Sequence, residues 1–349
     1  MNNLQTTSRS YCFTAIVGQE DMKTALILNA VNPKLGGILI RGEKGTAKST
    51  AVRALAELLP PQAVVENCRF GCDPRDLPHL CPECQEKLER GEKLITASRR
   101  MRVIELPVNA TEDRVAGSLD MEHALKTGEK KFESGILAQA NRNILYVDEV
   151  NLLDDHIVDI LLDSAAMGVN TVEREGVSFT HPAAFMLVGT MKPEEGDLRP
   201  QLLDRFGLSV TVSGERDLEK RAAILAKRLE FERDSGKFFA EAEAGQRRLR
   251  ERIENAGRLL DAVEYSPEIL EKIASLCVKL EVDGHRADIT ILKTALTRAA
   301  FDDRKNVTGE DVLRAARFAL PHRLRRKPFE ETADITGDML TRLLEGGAV

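Results

Sequence analysis

Lys48 and Ser49 close the run Gly42-Glu43-Lys44-Gly45-Thr46-Ala47-Lys48-Ser49-Thr50, the first stretch whose residue types and spacing point to chemistry. In the pattern G-x-x-x-x-G-K-[ST], backbone N–H groups and the positive end of the following helix hold phosphate oxygens. The lysine reaches the outer phosphates and the hydroxyl ligates Mg²⁺. Ala47 stands where that pattern has its second glycine, so the turn survives only if Ala47 keeps negative φ or tolerates modest strain. About a hundred residues downstream, Asp148-Glu149 closes the apolar run Ile144-Leu145-Tyr146-Val147. Asp148 is suited to the water shell of Mg²⁺ and Glu149 to polarising an attacking water. Each motif alone also fits a blander reading, a Gly-rich turn before an ordinary helix or a buried strand followed by a capping acid. Together they read as a nucleoside triphosphate site.

A third constellation is separate from these. Cys68, Cys72, Cys81 and Cys84 form a C-x₃-C…C-x₂-C arrangement within a Pro- and Asp-rich stretch, residues 67–85, and only Cys12 and Cys277 lie outside it. A long loop without its own secondary structure needs a staple. Four thiolates supply one by binding Zn²⁺ tetrahedrally or by holding an Fe–S cluster. Four thiols without a stable metal is the remaining alternative, and His79 reads as a solvated loop residue rather than a substitute ligand.

These residues must be held by recognisable elements. Ile38-Leu39-Ile40 reads as a parallel strand covered on both faces, and Val52, Leu55 and Leu59 keep helical spacing after Lys48 until Pro60-Pro61 stops the helix. Tyr11 to Gln19, with Val17 in it, is an apolar segment ending in a Gly turn, suited either to cover a nucleotide base or to pack as a strand edge. Residues before Tyr11 read as a flexible leader. Further strands are expected at Met101 to Val108, Ile144 to Val147, Ala184 to Gly189 and Leu208 to Val212. A hairpin is expected over 169–180, with Arg174-Glu175-Gly176 at its tip. A helical segment ending at Thr127-Gly128 and a turn and helix over Lys130 to Ala140 precede the second motif. From Gly214 the composition turns charged and helix-rich, with helices at Leu218–Phe231, Phe238–Val263, Pro267–Leu280, Arg286–Asp302 and Gly309–Phe318, and caps at Ser266 and Thr308. The expected organisation is an α/β nucleotide-binding domain over 1–213 and an all-helical domain with a basic tail over 214–349. The tail's His322-Arg323-Leu324-Arg325-Arg326-Lys327 reads as a solvated helix end or, more sharply, as a contact for an acidic partner.

Composition narrows the function. The 349 residues carry 50 basic and 56 acidic side chains, which gives no general affinity for nucleic acid. No apolar run reaches membrane-spanning length, and the polar start has no signal-peptide core, so a cytoplasmic setting with reduced thiols is expected.

The strings FTAIVGQE, GEKGTAKST, ATEDRVAGSLD, GILAQANRNILYVDEVNLLDDHIVDILLDSAA, NTVEREGVSF and PEEGDLRPQLLDRFGL, in this order, resemble the I subunit of magnesium chelatase, an AAA+ ATPase, over nearly the whole chain. The resemblance implies a five-stranded parallel sheet with a helical lid, and ATP hydrolysis at subunit interfaces of a ring, with a hexamer as the expected size. It implies that the P-loop residues 42–50 and Val17 bind ATP, that Ser49 and Asp148 hold Mg²⁺, and that Glu149 serves the attacking water. Arg205, in Leu202-Leu203-Asp204-Arg205-Phe206, would be an arginine finger, with Arg199 a weaker candidate, and Arg286 the lid's sensor arginine. The implied partners are an AAA+ subunit with an integrin-I domain and a large subunit that holds the tetrapyrrole and inserts Mg²⁺ or Co²⁺. Three features depart from the family's pattern: Ala47, Lys192 in the place of a sensor asparagine, and the cysteine cluster. A lysine donates to phosphate but cannot accept from water. The alternatives are therefore a hydrolytically weak AAA+ scaffold or a remodelling ATPase that matures another metalloprotein, with a DNA-translocating ATPase disfavoured by the charge balance.

Overall fold

The computed structural model of the chain describes residues 10–119, 132–174, 177–196, 198–324, 339–340 and 343. A helix α1 (Glu20–Val31) leads into β1 (Ile38–Gly42), and α2 (Lys48–Leu58) follows it. A ribbon of β2 (Gln62–Val65) and β3 (Thr96–Arg99) carries between its strands the cysteine-rich loop and α3 (Pro82–Glu89). Next come β4 (Val103–Leu106), α4 (Glu112–Ala116), the paired β5 (Gly117–Leu119) and β6 (Phe132–Ser134), α5 (Ile136–Ala140) and β7 (Ile144–Val147). After α6 (Asp155–Met167), the hairpin β8 (Val169–Arg174) and β9 (Val177–Pro182) returns the chain to β10 (Met186–Met191), α7 (Pro200–Leu203) and β11 (Leu208–Val212). Five longer helices complete the chain: α8 (Leu218–Arg233), α9 (Ser235–Leu259), α10 (Pro267–Lys279), α11 (Arg286–Phe301) and α12 (Gly309–Ala319).

The main sheet has five parallel strands in the order β11-β1-β10-β7-β4. In β1, Ile38 faces Val188 on one side and Leu208 on the other, so its backbone is paired along both edges. Its side chains alternate, as a pleated strand requires. Ile38 and Ile40 join the core built with α1, α2 and the C-terminal helices, while Leu39 joins the core under α5 and α6. All three are fully buried, which explains the unbroken apolar run. A third, smaller core contains Phe70, Phe132, Val172 and three of the clustered cysteines. No described helix is long and apolar enough to cross a membrane.

Several expectations are corrected. The β2–β3 ribbon and β6 do not stand out in the sequence, because their strands are three or four residues long and β3 is mostly polar. Segment 11–19 forms a short 3₁₀ turn at Phe13–Ala15 and no strand. Thr308 forms a capping box with Asp311, whereas Ser266 makes no side-chain cap. His322 and Arg323 are not a solvated helix end: both are buried. The His322 ring donates from Nε2 to the Phe206 carbonyl (2.8 Å). The Arg323 guanidinium binds the Asp204 carboxylate (3.1 Å) and the carbonyls of Asp204, Phe206, Gly207 and Ala319. The five-donor fork of arginine satisfies the carbonyls of Asp204, Phe206 and Gly207, where α7 turns into β11, and ties them to Ala319 at the end of α12. Residues 1–9 of the leader, the helical segment ending at Thr127-Gly128, the hairpin tip at Glu175-Gly176, and Arg325, Arg326 and Lys327 lie outside the described residues.

Candidate functional site

Because β1, β7 and β10 run parallel, their carboxyl ends share one edge of the sheet, and α2 begins at that edge. Together they enclose a cavity of about 440 Å³. Lys44 to Thr50 form one wall, and Asp148, Glu149, Thr190 and Lys192 the other. Gly42 lies just behind the loop, where a Cβ would fall 1.8 Å from the Val212 carbonyl oxygen, so glycine is required for close approach to β11. The cradle fits a polyphosphate: backbone N–H groups at the start of an eleven-residue helix, the Lys48 ammonium, and an oxygen pair from Ser49 and Asp148 suited to Mg²⁺.

Ala47 takes the strained branch of the expectation, with φ 61° and ψ 22°, the left-handed region. For a residue with a Cβ this costs roughly 1–2 kcal/mol. Ala47→Gly should therefore raise stability by about 0.5–1 kcal/mol, after the greater freedom of glycine in the unfolded chain offsets part of the relief. Urea denaturation monitored by circular dichroism checks this, and a lowered midpoint would mean that the loop holds Ala47 without strain.

One hydroxyl organises the acidic wall. Thr190 Oγ1 donates to Asp148 (2.5 Å) and accepts from the Glu149 backbone N–H (3.1 Å), while the Tyr146 hydroxyl also donates to Asp148 (3.1 Å). Burial, reinforced by the Asp148 charge, pushes the Tyr146 hydroxyl above its ordinary range and keeps it a donor. Glu149 itself sits at φ 54°, a left-handed conformation of the kind that concentrates at functional sites. Lys48 Nζ donates to the Gly42 (2.6 Å) and Glu43 (2.8 Å) carbonyls; burial lowers its pKa, and Asp148 opposes the shift. Lys192, 7% exposed, reaches across to Glu149 and pairs also with Glu195 (2.6 Å). These carboxylates, Glu149 foremost, raise the Lys192 pKa and hold it charged. Tyr146, Thr190 and Glu195 were not singled out in the sequence; Thr190 and Glu195 flank Lys192 closely enough for inspection to have found them.

Beside the P-loop lies a second cavity of about 230 Å³, lined by Tyr11, Ile16, Val17 and Ala47 and closed by Glu215 and Arg228. It shares Gly45, Thr46, Ala47 and Thr50 with the phosphate cavity, the arrangement a base attached to a polyphosphate needs.

Arg205 and Arg286 are not in either cavity. They share a separate one of about 360 Å³ with Arg199, Asp155 and Asp159. Arg205 pairs with both Asp159 and Asp163, Arg199 with Asp155 (2.5 Å), and Arg286 with Asp204 (2.8 Å). Sequence reading missed the two aspartates that hold Arg205, although their four-residue spacing on α6 puts them on one face.

The four clustered sulfurs come together: all lie within 4.8 Å of one another, and Cys72, Cys81 and Cys84 are buried. Cys68 Sγ is 3.8 Å from Cys81 Sγ, and the Cys81 N–H donates to Cys72 Sγ (3.2 Å). Hydrogen bonds from Cys72 and Cys81 pull the Cys68 thiol below its ordinary range, and the contact with Cys68 pushes Cys72 up. His79 is exposed and bonds Asp76 (2.8 Å), away from the cluster.

Comparison with known proteins follows the same outline. A model of the family described as magnesium chelatase, subunit ChlI, matches residues 118–201, and one described as AAA lid domain matches residues 270–341. A protein of Methanocaldococcus jannaschii named magnesium-chelatase subunit ChlI homolog is 59% identical over 92% of this chain and 87% of its own length. The magnesium-chelatase subunit ChlI of Cyanophora paradoxa is 52% identical, covering 91% of this chain and 92% of its own. Among solved structures, a chain from the complex between subunits BchI and BchD of magnesium chelatase, built from single-particle electron cryomicroscopy, is 43% identical. It covers 91% of this chain and 97% of its own, with a TM-score of 0.54.

Proposed function

Since this chain belongs to the magnesium-chelatase ChlI family of AAA+ proteins, we propose that it is the ATP-hydrolysing motor subunit of a tetrapyrrole metal chelatase. The observation that carries the reading is the convergence of Lys48, Ser49, Asp148 and Glu149 on one cavity, with Arg205 held on a different face. On this reading the P-loop N–H groups and Lys48 bind the phosphates of ATP. Ser49 and Asp148 hold Mg²⁺, which neutralises charge on the transferring phosphoryl group. Asp148 is kept in position by Tyr146 and Thr190. Glu149 polarises the attacking water, and Val17 with its neighbours covers the base. Arg205 and Arg286, on a shared face, reach the site of the next subunit in a ring, for which a hexamer is the proposed size. The boundary between nucleotide-binding domain and lid is proposed at 213–214.

The relative in the BchI–BchD complex supports a partner AAA+ subunit, for which we propose the integrin-I-domain type. A large subunit would hold the tetrapyrrole and receive Mg²⁺ or Co²⁺, because no described cluster in this chain suits a porphyrin. The proposed cofactors are ATP, Mg²⁺ and a metal at the four cysteines, as Zn²⁺ or an Fe–S cluster.

A second reading, a scaffold that binds ATP and turns it over poorly, is favoured by one contact. Lys192 occupies the Glu149 carboxylate that should face water. Lys192→Asn frees that carboxylate and supplies a side chain that both donates and accepts. ATP turnover, alone and with the partner subunits, should rise about tenfold in the variant, the scale of one charge-assisted hydrogen bond released from the base. Wild-type turnover that increases with partners supports the motor. A fall in the variant would assign Lys192 to the phosphates, and no turnover in either protein would leave the scaffold.

A further inference from the structure

We propose that Cys68, Cys72, Cys81 and Cys84 bind one tetrahedral Zn²⁺ ion, which clamps the β5–β6 and β8–β9 strand pairs to the rear edge of the main sheet. The inference deepens the metal assignment made above and rests on it.

Sulfur spacing separates the two candidate metals. At a Zn–S bond of about 2.3 Å, the edge of a ZnS₄ tetrahedron is about 3.8 Å. Cys68 and Cys81 stand at 3.8 Å, and no pair of the four exceeds 4.8 Å. In a four-iron cluster each cysteine binds a different iron, and in a two-iron cluster two lie on each, so some sulfurs must be splayed well beyond such an edge. The surroundings fit a single ion charged −2 with its ligands. Arg99 crowds Gly71, within the ligand loop, where an added Cβ would fall 2.3 Å from its guanidinium. Arg142 donates to the Gly71 carbonyl (3.4 Å) and to Asp73 (3.0 Å). Three ligands sit in a core of their own, and coordination would satisfy sulfurs otherwise buried among apolar groups.

What the ion would hold follows from Arg69 and Phe70, both between the first two ligands. The Phe70 ring stacks on His181 (5.0 Å) and Phe179 (6.4 Å) of β9, and Phe179 stacks on Phe132 of β6 (4.2 Å). Arg69 donates to the Phe132 carbonyl (2.9 Å), and Asn170 of β8 donates to the Ala116 carbonyl (2.9 Å). The same loop is tied to the start of β7, since Asn141 donates to the Phe70 carbonyl (2.8 Å) and accepts from the Ala184 N–H before β10 (3.0 Å). Strands β7 and β10 carry Asp148 and Lys192 at their other ends. The clamp and the catalytic residues are thus separated by the whole length of β7 and β10. The P-loop lies outside it.

The test uses the full chain, as purified, after removal of metal with a strong chelator, and as Cys81→Ser/Cys84→Ser. Elemental analysis should find one zinc and no iron per chain. Loss of zinc should speed amide exchange of 132–134, 169–174 and 177–182 by about tenfold or more, reversed by added Zn²⁺, with ATP affinity changed by no more than about threefold. Iron with visible absorption, or no metal, overturns the single ion. Zinc whose removal leaves hairpin exchange unchanged, or abolishes ATP binding, overturns the local clamp. Zinc-loaded protein that binds ATP without turnover retires the motor reading alone, while the clamp stands or falls on the exchange data.

Discussion

Glu149→Gln should abolish ATP turnover, by about 10²- to 10⁴-fold, while ATP affinity stays within about threefold. The substitution keeps the size of the side chain and the left-handed backbone, whose N–H remains on Thr190. What it removes is the charge that polarises water. Lys192 keeps Glu195 as a partner, so the acidic wall should not collapse. Single-turnover hydrolysis with equilibrium binding of a fluorescent ATP analogue separates the two quantities. Turnover above a tenth of wild type would move the base to another residue, and a parallel loss of binding would make Glu149 structural.

The arginine edge makes the second large prediction. Arg205→Ala should reduce turnover by about a thousandfold or more, the lower range for loss of an arginine finger. Lys48→Ala should be inactive for a different reason, loss of phosphate binding. If Arg205 acts on the next subunit, mixing the two inactive proteins restores activity, because a Lys48→Ala subunit still lends Arg205 to an intact P-loop. With independent sites and random assembly in equal amounts, about one quarter of sites have both parts. No recovery in rings verified by light scattering would return Arg205 to its ion pairs with Asp159 and Asp163 as a structural residue.

Much of this was legible along the chain for a physical reason. A strand, a Gly-rich turn and a helix at residues 38–58 are set by neighbours in sequence, and so is their capacity to hold phosphate. The period of the C-terminal helices, the capping box at Thr308 and the apolar run ending at Asp148 are local in the same sense. The family resemblance drew on long strings of just this kind. The ribbon β2–β3 was not legible, because its strands pair across the whole cysteine loop and carry little apolar pattern.

Tertiary structure decided what local pattern leaves open. Ala47 could have kept negative φ, but the turn into α2 required the left-handed region. Arg323 reads as a surface charge until the turn from α7 into β11 presents carbonyls to bury it. Lys192 and Glu149 follow different strands, and their contact exists only because β7 and β10 are neighbours in register. The cysteine spacing determined that four sulfurs are available, whereas folding set their separations and hence the ion that fits. Residue type and local spacing establish which chemistry is possible. Distances between side chains far apart in sequence, set by packing, determine which of those possibilities the molecule can carry out.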